Sequence, residues 1–315
     1  MNVATANNPN AAGAYTGRIL IIINPQAGHE SVPALRRKLG GAFAARKMSF
    51  DIVPTTRAGH ATDLAREAAR LGYKRVCVVG GDGTIAEAAT GLVGTNVPLA
   101  IIARGTANQV AQNLQIPRAF EAAVETAVHG RPTAIDLGSV EGRAFALVAG
   151  AGFDAAVMST ATREMKERWG FGAYIYGALK HALAMSPARF HIKVDDHELD
   201  ISAVSVMIAN VGSLFTKYIP VRFPLTPKPM SSWHDGMFDI VVVAPRKFPD
   251  WASVLWSAAL HRFGGSDRLI HLQARTVTID ADQPVPTQID GDPAGTTPLT
   301  ATVIERGVRI MLPRT

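Results

Sequence analysis

The chain has 315 residues, of which 47% are hydrophobic and 18% are charged, and this length can fill about two ordinary domains. The formal net charge of +6 favours an anionic partner. A single cysteine, Cys77, excludes an internal disulfide and a multi-cysteine metal site, which suits a reducing compartment. No apolar run approaches the roughly 20 residues that span a bilayer, so we expect a cytoplasmic protein.

The first part of the chain alternates apolar runs with helical patterns. Residues 1–16 lack the basic start and apolar centre of a signal peptide and predict a disordered tail. The apolar runs that follow are 18–23, 50–53, 75–79 and 99–102. Runs without alternation predict strands buried on both faces, and the helical spacing between them predicts covering helices. We therefore expect an α/β domain with a parallel sheet over residues 17–138.

Beyond residue 138 the pattern becomes mainly that of β-structure. Apolar and polar residues alternate, or β-branched residues dominate, in segments 189–194, 198–211, 237–243, 268–280 and 300–312. Two helical patterns interrupt them, at about 161–184 and 249–262. Residues 139–315 are therefore expected to form a mainly antiparallel β-sandwich domain.

The strongest local motif is Gly-Gly-Asp-Gly-Thr at residues 80–84, between a predicted strand and a predicted helix. Glycines let the backbone approach a ligand closely, and the helix start offers N–H groups and a partial positive charge to a phosphate. Asp82 then stands where a carboxylate can hold Mg²⁺ or meet a hydroxyl beside the phosphates. The alternative is a strand-to-helix turn that binds no ligand.

Two further loops follow predicted strands in the same way, Asn-Pro-Gln-Ala-Gly at 24–28 and Arg-Gly-Thr-Ala-Asn at 104–108. Because carboxyl ends of parallel strands meet at one edge of a sheet, the three loops are expected at the edge where open α/β sheets bind ligands. Neither the G-x-x-x-x-G-K-[ST] motif nor the G-x-G-x-x-G motif occurs. The loops therefore predict a different kind of phosphate cradle.

Six segments carry a resemblance to a known family. They are NPQAG (24–28), GGDGTIAEA (80–88), GTANQVAQNL (105–114), GAGFDA (150–155), HDGMFDI (234–240) and QIDGD (288–292). In this order and spacing they resemble the diacylglycerol kinase catalytic domain family, which includes bacterial lipid kinases and sphingosine kinases, within the NAD kinase/diacylglycerol kinase superfamily. The resemblance implies Mg²⁺-dependent transfer of the ATP γ-phosphoryl group to a lipid hydroxyl, with conversion of diacylglycerol to phosphatidic acid as the expected reaction.

The resemblance also implies the binding residues. The nucleotide site would be lined by Asn24, Pro25, Gln26, Ala27, Gly28, Thr55, Gly80, Gly81, Asp82, Gly83, Thr84, Ile85, Ala86 and Thr106. A structural Mg²⁺ would be held by the Asp235 carboxylate and the backbone carbonyls of Ser232 and Met237, which are the hard oxygen ligands that magnesium prefers. The alternative for this segment is a turn at the start of a strand.

Three aspartates are the catalytic candidates, namely Asp82, Asp290 and Asp292. Two aspartates that are two residues apart in an extended stretch point to the same side, and Gly291 permits close approach of a substrate. The resemblance implies that Asp292 is the proton acceptor, where relatives typically carry the longer Glu. Asp290 would orient the hydroxyl or act as the base itself. The alternative is that this segment, rich in turn-forming residues, is only a turn.

Some features leave alternatives open. Gln109 stands where relatives usually carry an acid, and segment 212–234 is longer than usual. One alternative is a NAD kinase-like enzyme, although it would need Asn-Glu where the chain has Asn108-Gln109. A second alternative is a non-catalytic nucleotide-binding sensor.

We interpret the positive net charge as favouring an anionic membrane and not nucleic acid, because no RNA-binding pattern, helix-turn-helix or zinc-finger spacing occurs in the sequence. Basic and aromatic residues in 163–193 predict a peripheral contact with an anionic membrane surface that carries the lipid substrate. A packed helix with a solvated basic face is the alternative. A homodimer is also among the expected assemblies.

Overall fold

The computed structural model describes residues 15–28, 30–152, 187–210, 213–214, 223–224, 233–245, 250 and 268–314. The helices are α1 (Val32–Ala45), α2 (His60–Leu71), α3 (Asp82–Leu92), α4 (Gln109–Asn113) and α5 (Phe120–His129). The strands are β1 (Ile19–Ile23), β2 (Phe50–Pro54), β3 (Arg75–Gly80), β4 (Leu99–Ala103), β5 (Arg131–Val140), β6 (Arg143–Phe145), β7 (Val148–Gly152), β8 (Ala188–Val194), β9 (His197–Ala203), β10 (Ser205–Ala209), β11 (Ser213–Leu214), β12 (Phe223–Pro224), β13 (Phe238–Val243), β14 (Leu269–Ala274), β15 (Thr276–Ala281), β16 (Pro286–Ile289), β17 (Asp292–Thr296) and β18 (Leu299–Leu312). The chain divides into two compact units, Met1–Ile135 with Arg306–Thr315, and Asp136–Glu305.

The first unit contains a parallel sheet in the order β2-β1-β3-β4, extended by the last part of β18 beside β4. Strands β1 and β3 are buried along their whole length, as expected for strands covered on both faces. Apolar side chains of α1 and α5 pack on this sheet, among them Leu39, Phe43 and Val124. The α/β domain with a parallel sheet is therefore confirmed.

Cys77 lies in the middle of β3 and is fully buried. Burial raises the pKa of its thiol to about 12, so the thiolate is not available as a nucleophile at neutral pH. The cysteine is therefore a core residue, in agreement with its position in an apolar run.

Helices α2 and α3 pack against each other at very short range. A methyl group on Gly91 of α3 would overlap the carbonyl oxygen of Thr62 of α2 and lie 2.9 Å from the Ala65 side chain. The Glu87 carboxylate of α3 also accepts hydrogen bonds from the amides of Gly59 and Ala61, at 2.8 and 3.1 Å, at the start of α2. These contacts fix the helix that follows the Gly-Gly-Asp-Gly-Thr turn.

The second unit contains two sheets that share one apolar core. One sheet has the order β14-β13-β10-β7-β16-β17, with antiparallel neighbours throughout. The other is formed by the first part of β18 with β15, β8 and β9, again antiparallel. Phe145, Phe190 and Phe238 lie fully buried between them, and the rings of Phe145 and Phe238 stack at 5.6 Å. The mainly antiparallel β-sandwich is therefore confirmed.

The chain crosses between the two units twice, after Ile135 and after Glu305, whereas the sequence predicted one boundary near residue 138. Residues 300–312 form a single β-pattern, as predicted, but β18 serves both units. Arg306, with a φ of 50°, lies where the strand passes from one unit to the other. In the last part of β18, the side chains of Val308, Ile310 and Met311 are buried in the first unit. A change of partner within one strand leaves no mark in the hydrophobic pattern.

Several predicted segments fall outside the described residues. These are most of the predicted tail, both helical segments at about 161–184 and 249–262 (Asp250 excepted), and most of 212–234. The ring of Tyr15, at the end of the predicted tail, stacks on Tyr73 at 4.7 Å. Among the described helices, none has the length and hydropathy needed to span a membrane.

Candidate phosphate cradle and acidic hairpin

Three loops of the first unit meet at the carboxyl ends of β1, β3 and β4. The Asn24 side chain donates to the Thr84 hydroxyl at 2.9 Å, and the Arg104 amide donates to the Gly80 carbonyl at 2.8 Å. A methyl group on Gly105 would lie only 2.6 Å from the Cα atom of Gly81, so the second and third loops touch through their backbones. The three predicted loops therefore come together as one cradle.

The first loop is a compact turn that supports this arrangement. The Gln26 amide donates to the Asn24 side-chain oxygen at 2.9 Å, and the Ala27 amide donates to the Asn24 carbonyl at 3.1 Å. Gly28 has a φ of 79°, a conformation that favours glycine. Thr55 lies at the same sheet edge, because its amide donates to the Ile23 carbonyl at 2.8 Å.

The start of α3 is open at Gly83. The first hydrogen bond within this helix runs from the Ile85 amide to the Gly81 carbonyl, so the amides of residues 82–84 precede the helical ladder. A methyl group on the exposed Gly83 would find no atom within 4 Å. By contrast, the side chains of Thr84, Ile85 and Ala86 are buried. The helix start can thus receive an anionic group through its backbone.

Asp82 connects the second loop to the third. Its carboxylate accepts hydrogen bonds from the amides of Gln109 and Val110, at 3.0 and 2.9 Å. Burial raises the pKa of this carboxyl above its usual range, and the backbone donors oppose that effect. The structure thus shows an anchoring role for Asp82, and its proposed role toward Mg²⁺ or a hydroxyl stays a prediction.

Gln109 is buried at the start of α4, and neither of its side-chain amide atoms has a hydrogen-bond partner among the residues described here. Two buried polar atoms without a partner are costly, but a charged carboxylate at the same buried position would cost more than this neutral amide.

In the second unit, the Asp-Gly-Asp segment forms a hairpin and not an extended stretch. Ile289 pairs with Asp292, and the two residues between them have positive φ values, 50° for Asp290 and 86° for Gly291. This is the pattern of a type I′ turn, for which Asp-Gly is a preferred sequence. The prediction that Asp290 and Asp292 share one side of an extended stretch is therefore wrong, and the turn that was the alternative is present.

Asp290 is held by backbone groups. Its carboxylate accepts hydrogen bonds from the amides of Ala146 and Leu147 at 2.9 Å and of Val148 at 3.0 Å. These three donors occupy both of its oxygens. The carboxylate thus fixes the segment that leads into β7.

Asp292 is placed differently, since 62% of its side chain is exposed and one of its oxygens accepts from Arg143 at 2.8 Å. Arg143 was not among the predicted site residues. It lies 149 residues earlier in the chain on the short strand β6, and no local motif marks it.

The predicted magnesium segment is only partly described, because Ser232 lies outside the described residues. The Asp235 carboxylate is exposed and accepts from the Met237 amide at 3.1 Å. The buried carboxylate of Asp136 accepts from the Gly236 amide at 2.8 Å and was missed from the sequence. Carboxylate and carbonyl oxygens are of the type that Mg²⁺ prefers. Within the described part of the chain, however, no group of three or more acidic, His or Cys side chains is placed to hold a metal.

Comparison with known proteins agrees with the division of the chain into an α/β part and a β-sandwich part. Residues 18–140 match the family model of the diacylglycerol kinase catalytic domain, and residues 147–312 match that of the YegS C-terminal NAD kinase beta sandwich-like domain. A diacylglycerol kinase of Bacillus subtilis (strain 168) is 26% identical over 94% of this chain and 97% of its own length. One from Staphylococcus aureus (strain MRSA252) is 24% identical, with 94% and 92% covered.

A crystal structure of a diacylglycerol kinase from Bacillus anthracis (strain Sterne) superimposes with a TM-score of 0.75 at 23% identity. The superposition covers 94% of this chain and 97% of that one, which shows a common fold. The two family models follow each other along almost the whole chain. The protein therefore belongs to the family of lipid kinases built on the diacylglycerol kinase catalytic domain.

Proposed function

We propose that this enzyme transfers the γ-phosphoryl group of ATP to the hydroxyl of a diacylglycerol, which gives ADP and phosphatidic acid. The observation that carries the proposal is the cradle of the first unit, where three loops meet beside the open start of α3. Catalysis of phosphoryl transfer depends mainly on positioning and on electrostatic stabilisation of the phosphates. A rigid backbone cradle supplies the first of these for the nucleotide.

The hairpin of the second unit supports a division of roles between its two aspartates. The acceptor oxygen attacks the γ-phosphorus, the bond to the β–γ bridging oxygen breaks, and ADP leaves. The hydroxyl proton must pass to a base. Asp292 fits the base, because it is exposed and its Oδ1 has no hydrogen-bond partner among the described residues. Asp290 fits an anchor, because three amides already occupy its oxygens.

Magnesium is part of the proposal. Asp235, with the backbone carbonyls of Ser232 and Met237, would hold a structural ion. When bound, this divalent cation would contribute positive charge and order the loop. The buried Asp136 carboxylate accepts from the amide of Gly236 and so holds the turn beside the proposed ion.

The reaction is tested by transfer from labelled ATP to a panel of acceptors, namely diacylglycerol, monoacylglycerol, sphingosine, ceramide, phosphatidylglycerol and NAD. We expect diacylglycerol to be phosphorylated most efficiently, and only in the presence of Mg²⁺. Transfer to NAD alone would contradict a lipid substrate. Binding of ATP without transfer to any acceptor would instead identify a nucleotide sensor.

The cradle itself is tested by Gly83→Ala. The added methyl group meets no protein atom, so any loss of ATP affinity must come from the ligand side. Alanine also favours a helix over glycine by about 1 kcal/mol, so stability should not fall. We expect at least roughly tenfold weaker ATP binding by calorimetry, since the methyl occupies phosphate space. Unchanged affinity would place the phosphates elsewhere. Gly81→Val is less informative, because Gly81 packs on Gly105.

A further inference from the structure

The cradle contains a positively charged side chain that none of the predicted roles uses. Among the three loops, 24–28, 80–84 and 104–108, Arg104 is the only basic residue. The lysine of a G-x-x-x-x-G-K-[ST] loop is missing from this sequence. Asp82, the one acidic residue of the loops, is already occupied by backbone amides. A bound triphosphate would thus find a single loop cation to balance its charge.

The Arg104 side chain lies over the first loop. A methyl group on Gly28 would approach its Nη2 and Nε atoms to 2.8 and 3.1 Å, so the guanidinium covers the backbone of this glycine. The Arg104 amide is fixed to Gly80 of the second loop. The backbone of Arg104 is thus held to the second loop, while its guanidinium lies over the first loop.

The hydrogen bonds of this guanidinium are incomplete. Its Nη1 donates to Glu30 at 3.0 Å, and the side chain is 16% exposed. Its buried Nε has no hydrogen-bond partner among the residues that the structure describes. A buried donor without an acceptor is costly, and Nε and Nη2 form the edge of arginine that binds phosphate with two parallel hydrogen bonds.

We propose that Arg104 is a phosphate-binding residue of the nucleotide site, and that Glu30 balances its charge until the nucleotide arrives. This inference rests on the proposed function, because it assigns the ligand of the same cradle. Phosphate oxygens then take the donors left open at Arg104 and compete with the Glu30 carboxylate for the guanidinium. Glu30 is suited to release its partner, because its side chain is 30% exposed and therefore readily hydrated.

The test compares ATP and adenosine, which differ in the phosphates alone. We expect Arg104→Gln to weaken ATP binding by roughly ten- to hundredfold, the loss of one or two charge-assisted hydrogen bonds, and to leave adenosine binding unchanged. Arg104→Lys keeps the positive charge but loses the paired N–H donors of the guanidinium, so it should weaken ATP binding by an intermediate factor. Glu30→Gln removes the competing carboxylate and should leave ATP binding as strong as before or stronger.

A matched control is Arg46→Gln. Arg46 is similarly buried at 20% exposure and pairs with Glu125 at 3.0 Å, but it caps the far end of α1. The Arg46→Gln variant should bind ATP and adenosine as tightly as the unmodified enzyme does. Thermal melting of every variant shows whether it is folded.

Three outcomes would overturn the assignment. If Arg104→Gln binds ATP as the unmodified enzyme does, Arg104 is not a phosphate ligand. If Arg104→Gln and Glu30→Gln weaken the binding of ATP and of adenosine equally, the ion pair only stabilises the structure of the loops. If the unmodified enzyme binds no ATP at all, the proposed function fails together with this inference, and that result is distinct from the first two.

Discussion

At the scale of single residues, the two aspartates of the hairpin have different surroundings, and the same substitution should therefore affect them differently. Asp292→Asn should keep the stability and the ATP affinity of the enzyme while lowering turnover by roughly 10² to 10⁴, the usual contribution of a general base. Asp290→Asn places an NH₂ group against backbone N–H donors. It should lower the free energy of unfolding by about 2 kcal/mol, since bonds to a charged acceptor are lost.

Urea unfolding and single-turnover transfer, measured on both variants, separate the two roles. If Asp292→Asn turns over normally while a folded Asp290→Asn is inactive, then Asp290 is the base and the assignment within the pair is reversed. If both variants remain active, the hairpin is only a turn.

His191 on β8 predicts a pH dependence of stability. Its two ring nitrogens lie 2.7 Å from the carboxylates of Asp282 and Asp200, which raise the pKa of the imidazole above its ordinary value of 6.5. The folded state therefore binds the proton more tightly than the unfolded state. The resulting stabilisation is fully present below about pH 6.5 and is lost as pH rises through the raised pKa.

Urea unfolding should accordingly find His191→Gln less stable than the unmodified protein near pH 6, with the difference shrinking as pH rises. In an NMR titration, Asp282→Asn should lower the pKa of His191. A constant difference between the two proteins at every pH would show that the histidine contributes by packing alone.

Several single-residue contacts could not be read from the sequence. The partners of Asp290 lie 142 to 144 residues away, and the pairs Gly236–Asp136 and Asp292–Arg143 are similarly distant. Such contacts depend on the packed sandwich and leave no local pattern. The hairpin, unlike these contacts, could be predicted from the sequence. Asp-Gly is a local turn signal, and it is stronger evidence than the spacing that suggested an extended stretch.

At the scale of elements, α3 carries two glycines with opposite expectations. Gly91→Ala forces a methyl group against the backbone of Thr62 in α2, and overpacking of this kind costs about 1–3 kcal/mol. Gly83→Ala on the same helix meets nothing. Thermal melting should therefore show a lower transition temperature for Gly91→Ala alone. Equal melting of both variants would mean that α2 can move away without cost.

The strands of both units were predictable because their patterns are local. Continuous apolar runs such as Ile19–Ile23 distinguish strands covered on both faces from the alternating strands of the sandwich, such as β8, whose burial alternates along its length. The three loops could be expected at one sheet edge because they follow β1, β3 and β4 in a parallel order. Their side-chain contacts, such as Asn24 with Thr84, required the packed structure.

At the scale of the whole molecule, the net charge of +6 leads us to propose peripheral binding to anionic membranes, where a lipid acceptor would lie. Binding to sedimented vesicles should rise with their phosphatidylglycerol content and fall with salt, because screening shortens the reach of surface charge. Equal binding to neutral vesicles would contradict an electrostatic contact. Tight, sequence-selective binding to DNA would also contradict it.

The strand β18 has a consequence for the order in which the protein can be completed on the ribosome. β4 can pair with β3 as soon as both have been made, but its other neighbour, the end of β18, is translated only after the whole of the second unit. Until then, the apolar strand Leu99–Ala103 is an open sheet edge, and open edges invite pairing with other chains. The sheet of the first unit can therefore be completed only after the second unit has been synthesised, and during that interval the edge of β4 is exposed to pairing with other chains.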